Sequence, residues 1–72
     1  MAVEEIHAEM VSSVWKVLVG PGEQVAAGDT LVILESMKME IPVLAESAGV
    51  ITSIDVSVGD VIQHGDLIAV IS

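Results

Sequence analysis

The sequence predicts an all-β protein of about eight short strands, and three observations carry that expectation. Valine, isoleucine and leucine dominate the apolar residues, Trp15 is the only aromatic, and Phe, Tyr and Cys are absent. β-Branched residues at this density favour extended chain. Apolar residues alternate in short runs broken by Gly, Pro and Asp, and no segment sustains a helical period. The chain also repeats itself. Shifted by 37 positions it matches without a gap: Val14, Val17 and Val19 fall on Ile51, Ile54 and Val56, and Gly22 falls on Gly59. Val25 falls on Ile62, Gly28-Asp29 on Gly65-Asp66, and Leu31 and Ile33 on Ile68 and Val70. Two copies are too few for a solenoid and suggest one globule with approximate two-fold symmetry. Residues 1–72 are therefore read as a single domain with one small core.

Each copy follows the same local rules. Ile6 to Met10 and Met39 to Ala45 supply an opening strand for each copy. Val14 to Val19 and Val50 to Val56 alternate and read as the next pair. Gly20-Pro21-Gly22 and Ser57-Val58-Gly59-Asp60 break them, Gly supplying positive φ and Pro setting its own. Short apolar steps follow at Val25 and at Val61-Ile62, then turns at Gly28-Asp29 and Gly65-Asp66. Leu31 to Glu35 and Leu67 to Ser72 close the copies. Turns at this spacing indicate a sandwich or barrel. Pro42 lies inside a strand, which places that stretch at an edge or bulge. Trp15 is expected in the core, and Glu4, Glu5 and Glu9 on a solvated face.

One stretch resists the local rules. Thr30 to Ala45 runs for sixteen residues with no Gly, Asn or Asp, which is too long for one strand in so small a domain. The repeat requires the first copy to end near Glu35 and the second to be running by Ala45. The reversal therefore falls at Met37-Lys38. Two-residue hairpins favour turns with positive φ, so Met and Lys are unfavourable there. Disagreement between local preference and global need often marks function. The counterpart of this hairpin is the gap between the chain ends, so Lys38 is expected at the end of the domain opposite both termini.

Composition narrows the function. Eleven acids against two lysines give a formal net charge of −9, a field that repels phosphate backbones and argues against nucleic-acid binding. Without Cys there is no disulfide or thiolate chemistry, and His7 and His64 lack metal-ligand spacing, so no metal is expected. No Ser-His-Asp or Cys-His set assembles, and the chain is read as non-catalytic. The start Met1-Ala2-Val3-Glu4-Glu5 has no basic n-region or long apolar run, so no signal peptide or membrane span is expected, and the expected compartment is the cytosol.

Glu35-Ser36-Met37-Lys38-Met39-Glu40 resembles the biotin-attachment motif of biotinyl/lipoyl attachment domains, whose core is Met-Lys-Met. The resemblance takes in Val14 to Val19 with Pro21-Gly22, Val25, Gly28-Asp29, Gly49-Val50-Ile51, and Gly59-Asp60 through Gly65-Asp66-Leu67-Ile68, essentially the whole chain. It implies a flattened barrel of two four-stranded antiparallel sheets, with Lys38 on a hairpin tip carrying biotin in amide linkage. Lipoyl domains usually place Asp before the modified lysine and Ala after it, so Met37 and Met39 resemble the biotin version. No "thumb" segment interrupts Val25-Ala26-Ala27-Gly28. Many relatives have Ala-Pro where this chain has Ala8-Glu9 and Ala45-Glu46, and Gly where it has Ser12.

The resemblance implies a sequence of steps. A biotin protein ligase would activate biotin, and the neutral amine of Lys38 would attack it. A lysine amine ordinarily titrates near ~10.4, so the ligase must remove a proton, for which the sequence offers no base. The tethered group would then move between biotin carboxylase and carboxyltransferase sites, where tethering raises effective concentration. Met37 and Met39 suit adaptable contacts and read as ligase recognition, although both also continue the apolar phase of Leu31 and Ile33. Glu35, Ser36 and Glu40 are weaker flanking candidates, the glutamates also reading as solvated residues. Lys16 lies mid-strand and is expected to be ignored. The alternatives are a lipoyl carrier and an unmodified β-barrel interaction module.

Overall fold

The computed structural model describes residues 3–72. Across them run eight strands: β1 Glu4–His7, β2 Ser12–Val17, β3 Gln24–Val25, β4 Thr30–Ser36, β5 Met39–Leu44, β6 Gly49–Ile54, β7 Val61–Ile62 and β8 Leu67–Ile71. They form two four-stranded antiparallel sheets, ordered β1-β8-β6-β3 and β5-β4-β2-β7. Among the described residues no helix is long and apolar enough to cross a membrane.

The sheets are copies of each other under the 37-residue shift. Leu34 pairs with Ile41 as Ile71 pairs with Glu4, and Ser13 pairs with Val61 as Val50 pairs with Gln24. Even the irregularities correspond: β2 is bulged between Val14 and Lys16, and β6 between Ile51 and Ser53. Each sheet takes its two central strands from one half of the chain and its two edges from the other. The turns lock the exchange. Gly22 N–H donates to the carbonyl of Ile51 and Gly59 N–H to that of Val14, at 2.8 and 2.9 Å. Neither half can complete a sheet alone.

The core follows the same symmetry. Leu31 and Ile68, Val14 and Ile51, Val25 and Ile62, and Ala8 and Ala45 occupy equivalent buried positions. The in-register Gly-Asp turns have a shared cause. Gly28 and Gly65 adopt φ of 92° and 93°, and the following carboxylates of Asp29 and Asp66 accept the N–H of Ala26 and Gln63 at 2.8 and 2.9 Å. Glycine supplies the left-handed backbone and aspartate closes the turn.

Several expectations are corrected. Trp15 is not in the core: the alternation that buries Val14 turns Trp15 outward, and the bulge leaves both Trp15 and Lys16 exposed while Val17 packs on the core. Glu5 and Glu9 are exposed, but Glu4 is half-buried, with one carboxylate oxygen accepting from the Ser47 hydroxyl at 2.9 Å. Strand β1 begins at Glu4 and ends at His7 rather than running to Met10, because the Ala8 N–H is taken by the carbonyl of Asp66. Strands β2 and β6 start and stop about two residues before their expected bounds. Pro42 is on β5, an edge strand, where its missing N–H costs no ladder bond.

Candidate functional site

The site is the reversal between β4 and β5. Ladder pairs Leu34–Ile41, Glu35–Glu40 and Ser36–Met39 lead up to it, leaving Met37 and Lys38 as the two loop residues. Met37 has φ 52° and Lys38 φ 65°, the only non-glycine residues with positive φ among those described. Both central residues being left-handed is what a type I′ turn demands, and this turn matches the twist of the strands it joins. The unfavourable residue choice expected at this point is therefore realised as backbone geometry. Met37 is 91 % exposed and Met39 67 %.

Lys38 is exposed, and among the described residues its amine has no carboxylate or hydrogen-bond partner; the sole ion pair there joins His7 to Glu5. Lys16 differs. It lies in the β2 bulge with Nζ 4.6 Å from the centroid of the Trp15 ring, within cation–π range. Of the two lysines, one is engaged on a sheet and one is presented.

The hairpin also sits away from Glu4 and Ser72. β2 starts beside Ser36, whose hydroxyl donates to the carbonyl of Val11 at 3.3 Å, and runs to Leu18. The loop after Leu18 crosses to Gln24, which pairs with Val50; Val50 in turn exchanges hydrogen bonds with Ser72. Strand β1 starts and β8 ends at that far end, since Glu4 pairs with Ile71.

The sequence motif residues are thus brought together only in part. Met37, Lys38 and Met39 project at the tip, whereas Glu35 and Glu40 face each other one pair below, on the outer side of the sheet. Ser36 ties the hairpin base to Val11, a contact across 25 residues that no local pattern announces. His7 is occupied structurally, its Nδ1 3.0 Å from the Gly65 carbonyl and its Nε2 3.1 Å from Glu5. A groove of about 590 Å³ runs between edge strands β1 and β5, and neither Lys38 nor its flanking methionines line it. The candidate site is a protrusion. Among the described residues the Lys38 amine is unpaired, on a turn closed by the Ser36–Met39 pair.

Fold and tip together define a class: a quasi-symmetric β-sandwich that displays one exposed lysine on a two-residue hairpin turn. The sequence profile described as "Biotin-requiring enzyme", that of the biotin/lipoyl family, matches residues 3–71, and the chain belongs to this family. It is 64 % identical over 69 residues to the biotinylated protein TB7.3 homolog of Mycobacterium leprae, covering 96 % of this chain and 97 % of that one. It is 37 % identical over 67 residues to the biotin/lipoyl attachment protein of Bacillus subtilis, with 93 % and 92 % covered. Among solved structures, the urea carboxylase of Kluyveromyces lactis superposes with a TM-score of 0.92 at 36 % identity. That match spans all of this chain and 6 % of the much longer enzyme.

Proposed function

We propose that this protein is a carboxyl carrier whose Lys38 is biotinylated by a biotin protein ligase and then serves biotin carboxylase and carboxyltransferase sites in turn. The observation that carries the reading is the unpaired, exposed amine of Lys38 on a two-residue turn held by a six-pair ladder. Family membership and the similarity to part of a urea carboxylase support it.

The residues of this chain supply presentation. Lys38 Nζ, once deprotonated, attacks the activated carboxyl carbon of biotin; the N–C amide bond forms, the bond to the leaving nucleotide breaks, and the amine's protons pass to a base on the ligase or to water. No carboxylate pairs with Nζ among the described residues, so the ligase meets no ion pair that must first be broken. Met37 and Met39 give the ligase pliable apolar contacts on both sides of the lysine, and Glu35, Ser36 and Glu40 form the base on which the tip stands. Bound biotin supplies a ureido ring that accepts a carboxyl group and releases it to an acceptor. Both strands fix the Lys38 Cα, so motion of the arm begins at the side chain, and tethering raises the local concentration at each enzyme. The domain is a carrier and not a catalyst. Ligation consumes ATP, and a cytosolic protein has access to it.

Coexpression with a biotin protein ligase should add the mass of one biotinyl group and confer streptavidin binding, both lost in Lys38→Ala. Modification that survives Lys38→Ala, or tandem mass spectra placing the group on Lys16, would refute the assignment. Addition of a lipoyl mass in place of biotin would transfer the protein to the lipoyl carriers.

A further inference from the structure

The repeat supplies an internal control for the protein surface. Every outward position of one sheet has a counterpart in the other, with the same pairing and the same bulge. Single exposed apolar residues are ordinary, but a consistent difference between equivalent positions needs a cause. On the outer face of β5-β4-β2-β7, Trp15 stands where the other sheet has Thr52, and Val61 where it has Gln24. Pro42 likewise answers to Glu5, and Leu44 to His7. Trp15 is 40 % exposed and Val61 72 %. Val3 and Val50 run the other way, against Glu40 and Ser13. Symmetry of the backbone is kept, and symmetry of the outer side chains is broken, with more of the apolar replacements on the sheet that carries Lys38.

This face adjoins the tip. Val61, Ser13, Glu35 and Glu40 form one row across four strands, directly below the Ser36–Met39 pair that closes the turn. Pro42 and its partner Ile33 form an outward pair further down; at ~3.3 Å per residue, Pro42 is roughly 13 Å from Lys38 along the strand. Glu35 and Glu40 point outward opposite each other with no cation paired to either among the described residues. With a net charge of −9 on each copy, self-association through this face is repulsive.

We infer that the outer face of β5-β4-β2-β7 is the docking surface for the biotin protein ligase, which meets it with an apolar patch bordered by Arg or Lys. The inference rests on the biotinylation reading above. Before any arm exists, the ligase must bring its bound carboxyl carbon to bonding distance of Nζ, so it must lie against the protein around the tip. A standard interface covers about 800 Å² on each partner, a patch roughly 28 Å across. The molecule measures 36 × 19 × 17 Å, so such a patch centred on the tip extends over an adjoining sheet face. Trp15, Val61 and Pro42 mark which face, and Trp15 with Lys16 stacked on it is the anchor, aromatic residues being typical centres of binding energy. Enzymes reached later through the arm require no such contact.

Steady-state ligase kinetics with the carrier as varied substrate test this. Trp15→Thr/Val61→Gln imports the residues that the same backbone already holds in the other half. It should raise KM for the carrier by about tenfold or more with kcat little changed, while Thr52→Ala/Gln24→Ala leaves both unchanged. Unmodifiable Lys38→Ala protein should compete with wild type, and Lys38→Ala carrying the Trp15 and Val61 changes should not. That competition reads docking without chemistry. Rising salt should weaken wild-type binding, and Glu35→Gln/Glu40→Gln should flatten the salt dependence. Should the double variant unfold, Val61→Gln alone carries the test. An unchanged KM with wild type fully labelled overturns the docking face and leaves the biotinylation reading standing. Absence of any label on wild type overturns both. A wild-type dimer dissolved by Trp15→Thr would assign the face to a second copy and overturn the ligase.

Discussion

Replacing Met37-Lys38 with Asn-Gly should stabilise the fold while destroying the attachment site. Both residues sit in the left-handed region, at φ 52° and 65°. That conformation costs an L side chain about 1–2 kcal/mol per residue, so the turn carries roughly 2–4 kcal/mol of strain by this reckoning. Asparagine relieves part of it. Glycine relieves the rest but returns ~0.4–1 kcal/mol through a more flexible unfolded chain. Removing the side chains forfeits little packing, since Met37 is 91 % exposed and Lys38 has no pairing partner among the described residues. The net gain is about 1–2 kcal/mol. For a chain of this size ~1 kcal/mol shifts Tm by about 4–8 °C, so the variant should melt about 5–15 °C higher by circular dichroism. Urea unfolding should show a higher midpoint at unchanged slope. A Tm equal to or below that of wild type would show that the turn is not strained, and the link between poor turn chemistry and function would fail with it.

Two further outcomes concern Gly49 and Glu46. Gly49→Ala places a Cβ 2.7 Å from Ile71 Cγ2 and 2.8 Å from the Ser72 carbonyl oxygen; it should cost about 1–3 kcal/mol in urea unfolding, whereas Gly20→Ala, with nothing within 4 Å, should be nearly neutral. Glu46 is held above the ordinary carboxylate range by a hydrogen bond with Glu4, with repulsion from Glu4 and then Glu9 adding to it. The second oxygen of Glu4 is buried without a hydrogen-bond partner. A raised acid pKa means the folded chain holds its proton more tightly, so the stability it contributes is present in acid and lost as pH rises through that pKa. Glu46→Gln keeps a donor without the charge, and its Tm should separate upward from wild type between about pH 4 and pH 7. A gap of constant size across that range would refute the coupling.

Strain at the tip follows from what the turn displays. An Asn-Gly hairpin would be more stable, but a turn that exposes a lysine must hold that lysine at one of its two central positions. The unfavourable φ of Lys38 is the consequence of presenting it there, and the pairing of β4 with β5 and of the other six strands over-determines the geometry.

Much of the fold was legible in order of residues alone. A 37-residue repeat, in-register Gly-Asp turns and alternating Val and Ile specify eight strands, an approximate two-fold and a reversal at Met37-Lys38, because each depends on contacts between near neighbours or on backbone preference. The placement of Lys38 at a tip follows from the same logic, since a symmetric pattern leaves only one junction without a partner. Tertiary structure settled the rest. That β3 pairs with β6 and β7 with β2, so that each half completes the other's sheet, depends on contacts between distant segments that no local rule encodes. The outward position of Trp15 and Lys16 depends on a bulge, one extra residue whose insertion changes which face a side chain takes, and apolar character alone pointed Trp15 inward. The half-burial of Glu4 likewise required strand β1 to meet the loop after β5, because charge in a sequence carries no information about what will lie against it.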